Sequence, residues 1–302
     1  MKRIFWVGSV VATLLAGCGR PGPVAPSMQK SPDLSPSAAP EAPVPAPTPA
    51  LAPYDTADLH VLDTKVNGDP TRIVYPTREL TPGQTYPALI FVHGYGMDQT
   101  QLTDRTELAR AASAQGWISA CGLLGGTAHW ANDQALEDLG ALIAELVAHH
   151  QADPKRIYLV GFSMGGGTAL LAAENTLGLP YRVAAVVSTQ GFTDLQAMTQ
   201  RAAGGGRYAG SIAQAYGGQL TPAEATAHSP VDFAAKLKGI PVYLEHGEAD
   251  TNVPDTHTIR MAQALTSLGI PYTEHLYPGL THSEQTIHTD SILAFLMGKV
   301  AP

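Results

Sequence analysis

Arg156-Ile157-Tyr158-Leu159-Val160-Gly161-Phe162-Ser163-Met164-Gly165-Gly166-Gly167 decides how this chain folds. An apolar, β-branched run reads as a buried strand. It is followed by a serine flanked two residues either side by glycine, then by the small-residue stretch Thr168-Ala-Leu-Leu-Ala-Ala173, which reads as a helix. Glycines at those offsets let strand and helix approach closely around a tight turn. The serine is then held in a strained turn with its hydroxyl at the top of a sheet, and the helix N-terminus behind it offers free N–H groups to a developing negative charge.

The pattern around this turn is repetitive. Strands are expected over 59–66, 72–76, 88–93, 117–121, 156–160, 183–188, 242–246 and 272–277. Helical periodicity fills 104–115, 132–150, 165–177, 255–268 and 283–296. Strand and helix in alternation predict an α/β domain: a mostly parallel, doubly wound sheet with helices on both faces. Residues 191–238 break the rhythm and are read as a lid-like insertion over the C-terminal edge of the sheet.

Open α/β sheets place their chemistry at the C-terminal ends of the strands. Besides the serine turn, three segments bring polar residues there: Phe91-Val-His93-Gly94-Tyr95-Gly96, Glu245-His246-Gly247-Glu248-Ala249-Asp250-Thr-Asn-Val-Pro254, and Tyr277-Pro-Gly-Leu-Thr281-His282-Ser283. With these segments in this order, residues 54–302 resemble the α/β-hydrolase family. The segments around Asp250 and His282 are most similar to its dienelactone hydrolase and prolyl-oligopeptidase-like esterase branches. The elbow Gly161-Phe-Ser-Met-Gly-Gly166 is also locally similar to that of bacterial cutinase-like polyester hydrolases. The resemblance implies Ser163 as nucleophile, Asp250 as acid and His282 as base. It also implies an oxyanion hole from the backbone N–H groups of Met164 and Tyr95, each donor being worth about 3 kcal/mol of barrier.

Other residues compete for these roles. Glu248 and Asp255 are rivals for the acid. His275 is expected in a strand and His288 six residues into the last helix, both structural. His93 and His246 are read as fixing loops, and His149-His150 as ending a helix. Trp130, after His129, is read either as a pocket wall with Tyr95 and Phe162 or as a cap on the core, and Phe162 could equally pack beneath the turn. Glu245, His246, Glu248 and Asp250 lack a second ligand group at metal-site spacing, so neither metal nor cofactor is expected.

The first 53 residues read differently. Met1-Lys-Arg3, an apolar run from Ile4 to Ala16 and Leu15-Ala16-Gly17-Cys18 form a basic start, a short hydrophobic region and a small-residue cleavage site. The ending resembles a bacterial lipoprotein signal: residues 1–17 would be removed and Cys18 lipidated, tethering the chain outside the cytoplasm to a bacterial membrane. Residues 18–53 follow as a linker, with 11 of the chain's 24 prolines between residues 19 and 53. Such a segment cannot bury a core and favours extended polyproline II. The formal charge is −8, and −10 once Lys2 and Arg3 are removed. No basic patch points to nucleic acid. Cys121, at the end of an expected strand, is read as a buried, inert thiol.

Together these features predict a lipid-tethered serine hydrolase that cleaves small or polymeric esters through an acyl-enzyme. A prolyl-oligopeptidase-like peptidase is the first alternative; against it, the sequence shows neither room for a propeller domain nor an obvious acidic pair for a peptide N-terminus. A non-catalytic binding lipoprotein on the same scaffold is the second, and it would be marked by a missing triad member.

Overall fold

The computed structural model describes residues 59–175, 181–200 and 206–298. The leader, Cys18 and the linker lie outside the described residues, as do Gly204 and Gly205 of the insertion and the end of the helix expected over 165–177.

All eight expected strands form: β1 (His60–Val66), β2 (Asp69–Tyr75), β3 (Tyr86–Val92), β4 (Ile118–Gly122), β5 (Ala152–Phe162), β6 (Val183–Thr189), β7 (Val242–Gly247) and β8 (Tyr272–Tyr277). They make one sheet in the order β1-β2-β4-β3-β5-β6-β7-β8. β2 runs antiparallel to both of its neighbours, β1 and β4, and every other pairing is parallel. Alternation along β5 divides the core between the two faces. Ile157 and Leu159 point to one face, Tyr158, Val160 and Phe162 to the other. This is the buried, two-sided environment that parallel strands require.

The helices are α1 (Gln101–Asp104), α2 (Leu108–Ala114), α3 (Asp133–His149), α4 (Met164–Glu174), α5 (Leu195–Gln200), α6 (Ala209–Ala215), α7 (Pro222–Ala227), α8 (Thr256–Ser267) and α9 (Thr289–Met297). α3, α4 and α8 bury residues in the Ile157 face, α2 and α9 in the Tyr158 face. α3 starts where Asn132, in extended conformation, accepts the Ala135 N–H at 2.9 Å and so satisfies an orphan donor of the first turn.

Two helical expectations are corrected. The helix read over 104–115 is two pieces, α1 and α2. Thr106, between them, turns its hydroxyl onto the Leu102 carbonyl at 2.6 Å, a local bond that competes with helix continuation. The helix read over 283–296 begins later. A 3₁₀ turn, Glu284–Thr286, precedes α9, and His288 is the residue that caps α9. Its backbone N–H and Nδ1 both meet the buried Glu245 carboxylate, at 3.3 and 3.1 Å, which draws the chain off the helical path.

The insertion folds as α5, α6, α7 and a 3₁₀ segment, Pro230–Leu237. α6 is joined to the loop after β4: Trp130 Nε1 donates to Ser211 Oγ at 3.1 Å and Asn132 Nδ2 to the Ala215 carbonyl at 3.0 Å.

Candidate active site

β5 delivers the serine and α4 turns away from it. Ser163 has φ 57° and ψ −118°, a combination that costs an L-residue strain energy and persists only where its surroundings enforce it. Here they do. A Cβ on Gly161 would overlap the Gly165 carbonyl, and one on Gly165 would overlap the Val92 carbonyl. Strand, turn and helix therefore pack backbone against backbone. Ser163 N–H donates to the Thr189 carbonyl of β6 at 2.9 Å.

Asp250 and His282 come to this serine from the loops after β7 and β8. His282 Nδ1 lies 2.6 Å from Asp250 Oδ2, and His282 Nε2 lies 2.8 Å from Ser163 Oγ. The carboxylate can only accept, so Nδ1 carries the proton and Nε2 is free to accept from the serine hydroxyl. Neither Glu248 nor Asp255 makes this contact. Phe162 packs its ring 5.0 Å from that of His282.

Asp250 is buried, and burial alone would raise its pKa. Hydrogen bonds from His246 and His282, the charge of His282 and the Val253 N–H outweigh it and hold the carboxyl well below the usual range. Oδ1 accepts the N–H groups of Asn252 at 2.7 Å and Val253 at 2.9 Å. His246 Nε2 sits 3.2 Å from Oδ2 and 2.9 Å from the Val253 carbonyl, while Nδ1 pairs with the Thr258 hydroxyl at 2.8 Å. The loop-fixing role read for His246 thus extends to the carboxylate itself.

Met164 follows the serine directly, and Tyr95 lies in the loop after β3. Among the described residues, neither backbone N–H donates to a protein acceptor. The loop bearing Tyr95 is pinned through its neighbours, Gly96 N–H to the Thr127 carbonyl at 2.7 Å and Gly94 N–H to Gln101 Oε1 at 2.8 Å.

Of the two roles read for Trp130, the structure matches the core cap, for its side chain is only 1% exposed. Trp130 N–H meets Met164 Sδ at 3.3 Å, and its ring packs against Tyr95, Phe192 and Tyr208. Tyr95, by contrast, is 40% exposed. It borders a cavity of about 630 Å³ that also touches Thr127, His129, Asn132, Ser211 and Gln214. The insertion therefore supplies one side of this cavity through α6.

The remaining candidates stand apart. His275 lies beside Tyr243 and Tyr277, and His150 pairs with Tyr75. Cys121 is buried, and burial pushes its thiol pKa up, away from reactivity. Among the described residues no three His, Cys, Asp or Glu side chains gather as a metal would need. Sequence reading missed Gln101 and Gln190, two buried amides that hold the loops around the site. Each lies in a turn or short helix with no periodic signal.

Comparison with known proteins agrees with this architecture. The structure is similar to a puromycin-hydrolyzing peptidase of Mycobacterium tuberculosis, at 23% identity and a TM-score of 0.62, over 80% of this chain and 40% of that one. A truncated carbohydrate esterase from gut microbiota is similar at 19% identity and 0.62, over 76% and 90%. The substrate-bound fluorophosphonate-binding serine hydrolase F of Staphylococcus aureus is similar at 15% and 0.63, over 81% and 98%. The chain spans about two fifths of the length of the mycobacterial peptidase and 36% of a putative dipeptidyl aminopeptidase IV from Bacteroides ovatus. No curated protein matches the sequence. Residues 123–300, more than half of the chain, match the prolyl oligopeptidase family, and the chain belongs to that family.

Proposed function

We propose that this chain is a serine hydrolase that cleaves carboxylic esters through an acyl-enzyme, with Ser163 as nucleophile, His282 as base and Asp250 as the residue that orients the base. The observation that carries the reading is the continuous chain Asp250 Oδ2–His282 Nδ1 at 2.6 Å and His282 Nε2–Ser163 Oγ at 2.8 Å. Attack by Oγ on an ester carbonyl passes the hydroxyl proton to Nε2. The imidazolium is stabilised by the Asp250 carboxylate, and the same proton then goes to the departing alkoxide. Water, deprotonated by His282, releases the acid. The N–H groups of Met164 and Tyr95 receive the oxyanion. Expulsion of an alcohol asks less of the base than expulsion of an amine.

A peptidase is the second reading, favoured by the family match and by peptidases among the structural relatives. Ser163→Ala should lower hydrolysis of p-nitrophenyl acetate by about 10⁶-fold while leaving the circular dichroism spectrum unchanged. A fluorophosphonate should label Ser163. Activity near that of the unmodified chain, or label elsewhere, refutes the triad. A kcat/KM for peptide p-nitroanilides above that for p-nitrophenyl esters selects the peptidase reading. We also propose that lipid on Cys18 tethers the domain to the cell envelope, a reading that rests on the leader sequence.

A further inference from the structure

The acid and the base are held in different ways. The Asp250 carboxylate is locked by its own loop, through the Asn252 and Val253 N–H groups. The loop carrying His282 meets the acid loop through its backbone at Tyr277 and Leu280, whose carbonyls accept the Glu248 and Ala249 N–H groups, each at 3.0 Å. Further along, Gln101 Nε2 donates to Glu284 Oε1 at 3.1 Å, and the two peptide groups that flank His282 both meet one side chain, that of Gln190. Gln190 Nε2 donates to the Thr281 carbonyl at 3.1 Å, and Ser283 N–H donates to Gln190 Oε1 at 3.2 Å.

Gln190 follows β6 and is 1% exposed, with φ 51°. A non-glycine residue there occupies a sparsely populated region, so the surroundings must enforce it. Its N–H donates to the Glu245 carbonyl of β7 at 2.8 Å. The preceding residue, Thr189, accepts the Ser163 N–H at 2.9 Å and donates its hydroxyl to the Gly161 carbonyl at 3.1 Å. Gln190 is therefore anchored by its backbone to the acid's strand, sits one residue from a partner of the nucleophile, and grips the base with its side chain.

We infer that Gln190 is the positioning residue that sets His282 in register with Ser163 and Asp250. The inference rests on the assignment of His282 as base. Only an amide fits both partners. The Thr281 carbonyl can only accept and the Ser283 N–H can only donate, so the amide has one orientation and uses both ends. Glutamate has the same shape but turns a lone pair toward Thr281. Methionine fills the volume and makes neither bond. A base displaced by about 1 Å from its proton partner loses about 10² in rate.

The test uses the full chain carrying Gln190→Met and, separately, Gln190→Glu, with Ser163→Ala alongside. Active sites are titrated with a fluorophosphonate, so turnover is counted per competent site and misfolded protein drops out. For Gln190→Met, kcat on p-nitrophenyl acetate and the rate of fluorophosphonate inactivation should both fall about 10²-fold, with KM within about threefold. The downfield proton resonance of His282 Nδ1–H, identified by its loss in His282→Ala, should weaken or vanish. Gln190→Glu should remain at least about tenfold below the unmodified chain, since one of two hydrogen bonds is replaced by repulsion. Either variant turning over at the unmodified rate with its resonance intact overturns the inference, as does a loss confined to KM. If Gln190→Met does not fold, Gln190→Glu, which keeps size and one hydrogen bond, decides alone. Activity surviving in Ser163→Ala would instead remove the triad on which the inference stands.

Discussion

Replacing Ser163 by glycine should make the domain more stable than replacing it by alanine. Both changes delete the hydroxyl and its 2.8 Å contact with His282, so that loss cancels. What differs is the backbone. At φ 57° and ψ −118°, an L-residue carries strain of about 1–3 kcal/mol, and glycine carries almost none. Glycine gives back about 0.5–1 kcal/mol through the freedom it gains in the unfolded chain. Ser163 caps α4 without a side-chain hydrogen bond, and glycine is the better N-cap of the two, which adds in the same direction. The difference is about 1–1.5 kcal/mol in favour of glycine. For a domain of this size that is roughly 2–6 °C in melting temperature. Calorimetry on the two variants measures it directly. At an ordinary helical position the sign reverses, and Ala172→Gly in α4 should cost about 1 kcal/mol. Equal melting of the two Ser163 variants, or greater stability with alanine, would show that the elbow stores no strain and that its serine is held at no energetic expense.

Two further outcomes are expected. Glu174 is buried in α4 with neither carboxylate oxygen hydrogen-bonded, and burial raises its pKa well above the ordinary 4.5, against a weaker pull from Lys236. A carboxyl whose folded pKa is raised destabilises the fold progressively as pH rises above the unfolded value, until the folded value is passed. Glu174→Gln should therefore raise the urea midpoint at pH 8, by about 1–3 kcal/mol of stability, and change it little at pH 4.5; equal shifts at both would contradict the assignment. Cys18→Ser should move the protein from the membrane pellet to the soluble fraction while p-nitrophenyl acetate hydrolysis is retained, and continued sedimentation with membranes would rule out the lipid tether.

What could be read from the sequence was what neighbours along the chain determine. The apolar run into Ser163, the glycines behind it and the strand periodicities are local, and the sheet followed from them. The residues that meet at the serine were legible because each stands at a strand end, where a parallel sheet concentrates its loops. Trp130 could not be assigned between wall and core cap because burial of a loop residue is decided by what covers it, and its cover comes from Tyr208 and Ser211 in the insertion. His288 was misread because its partner, Glu245, lies 43 residues away. Gln190 lies 91 and 93 residues from the two groups it holds. No hydrophobic period or turn signature encodes such a pairing. Yet on this inference the base needs it: Asp250 is held by its own loop and by His246 of β7, whereas the peptide groups beside His282 meet the residue that follows β6. The order nucleophile, acid, base is thus a property of the linear chain, and the precision with which those groups meet is a property of side chains that reach across it.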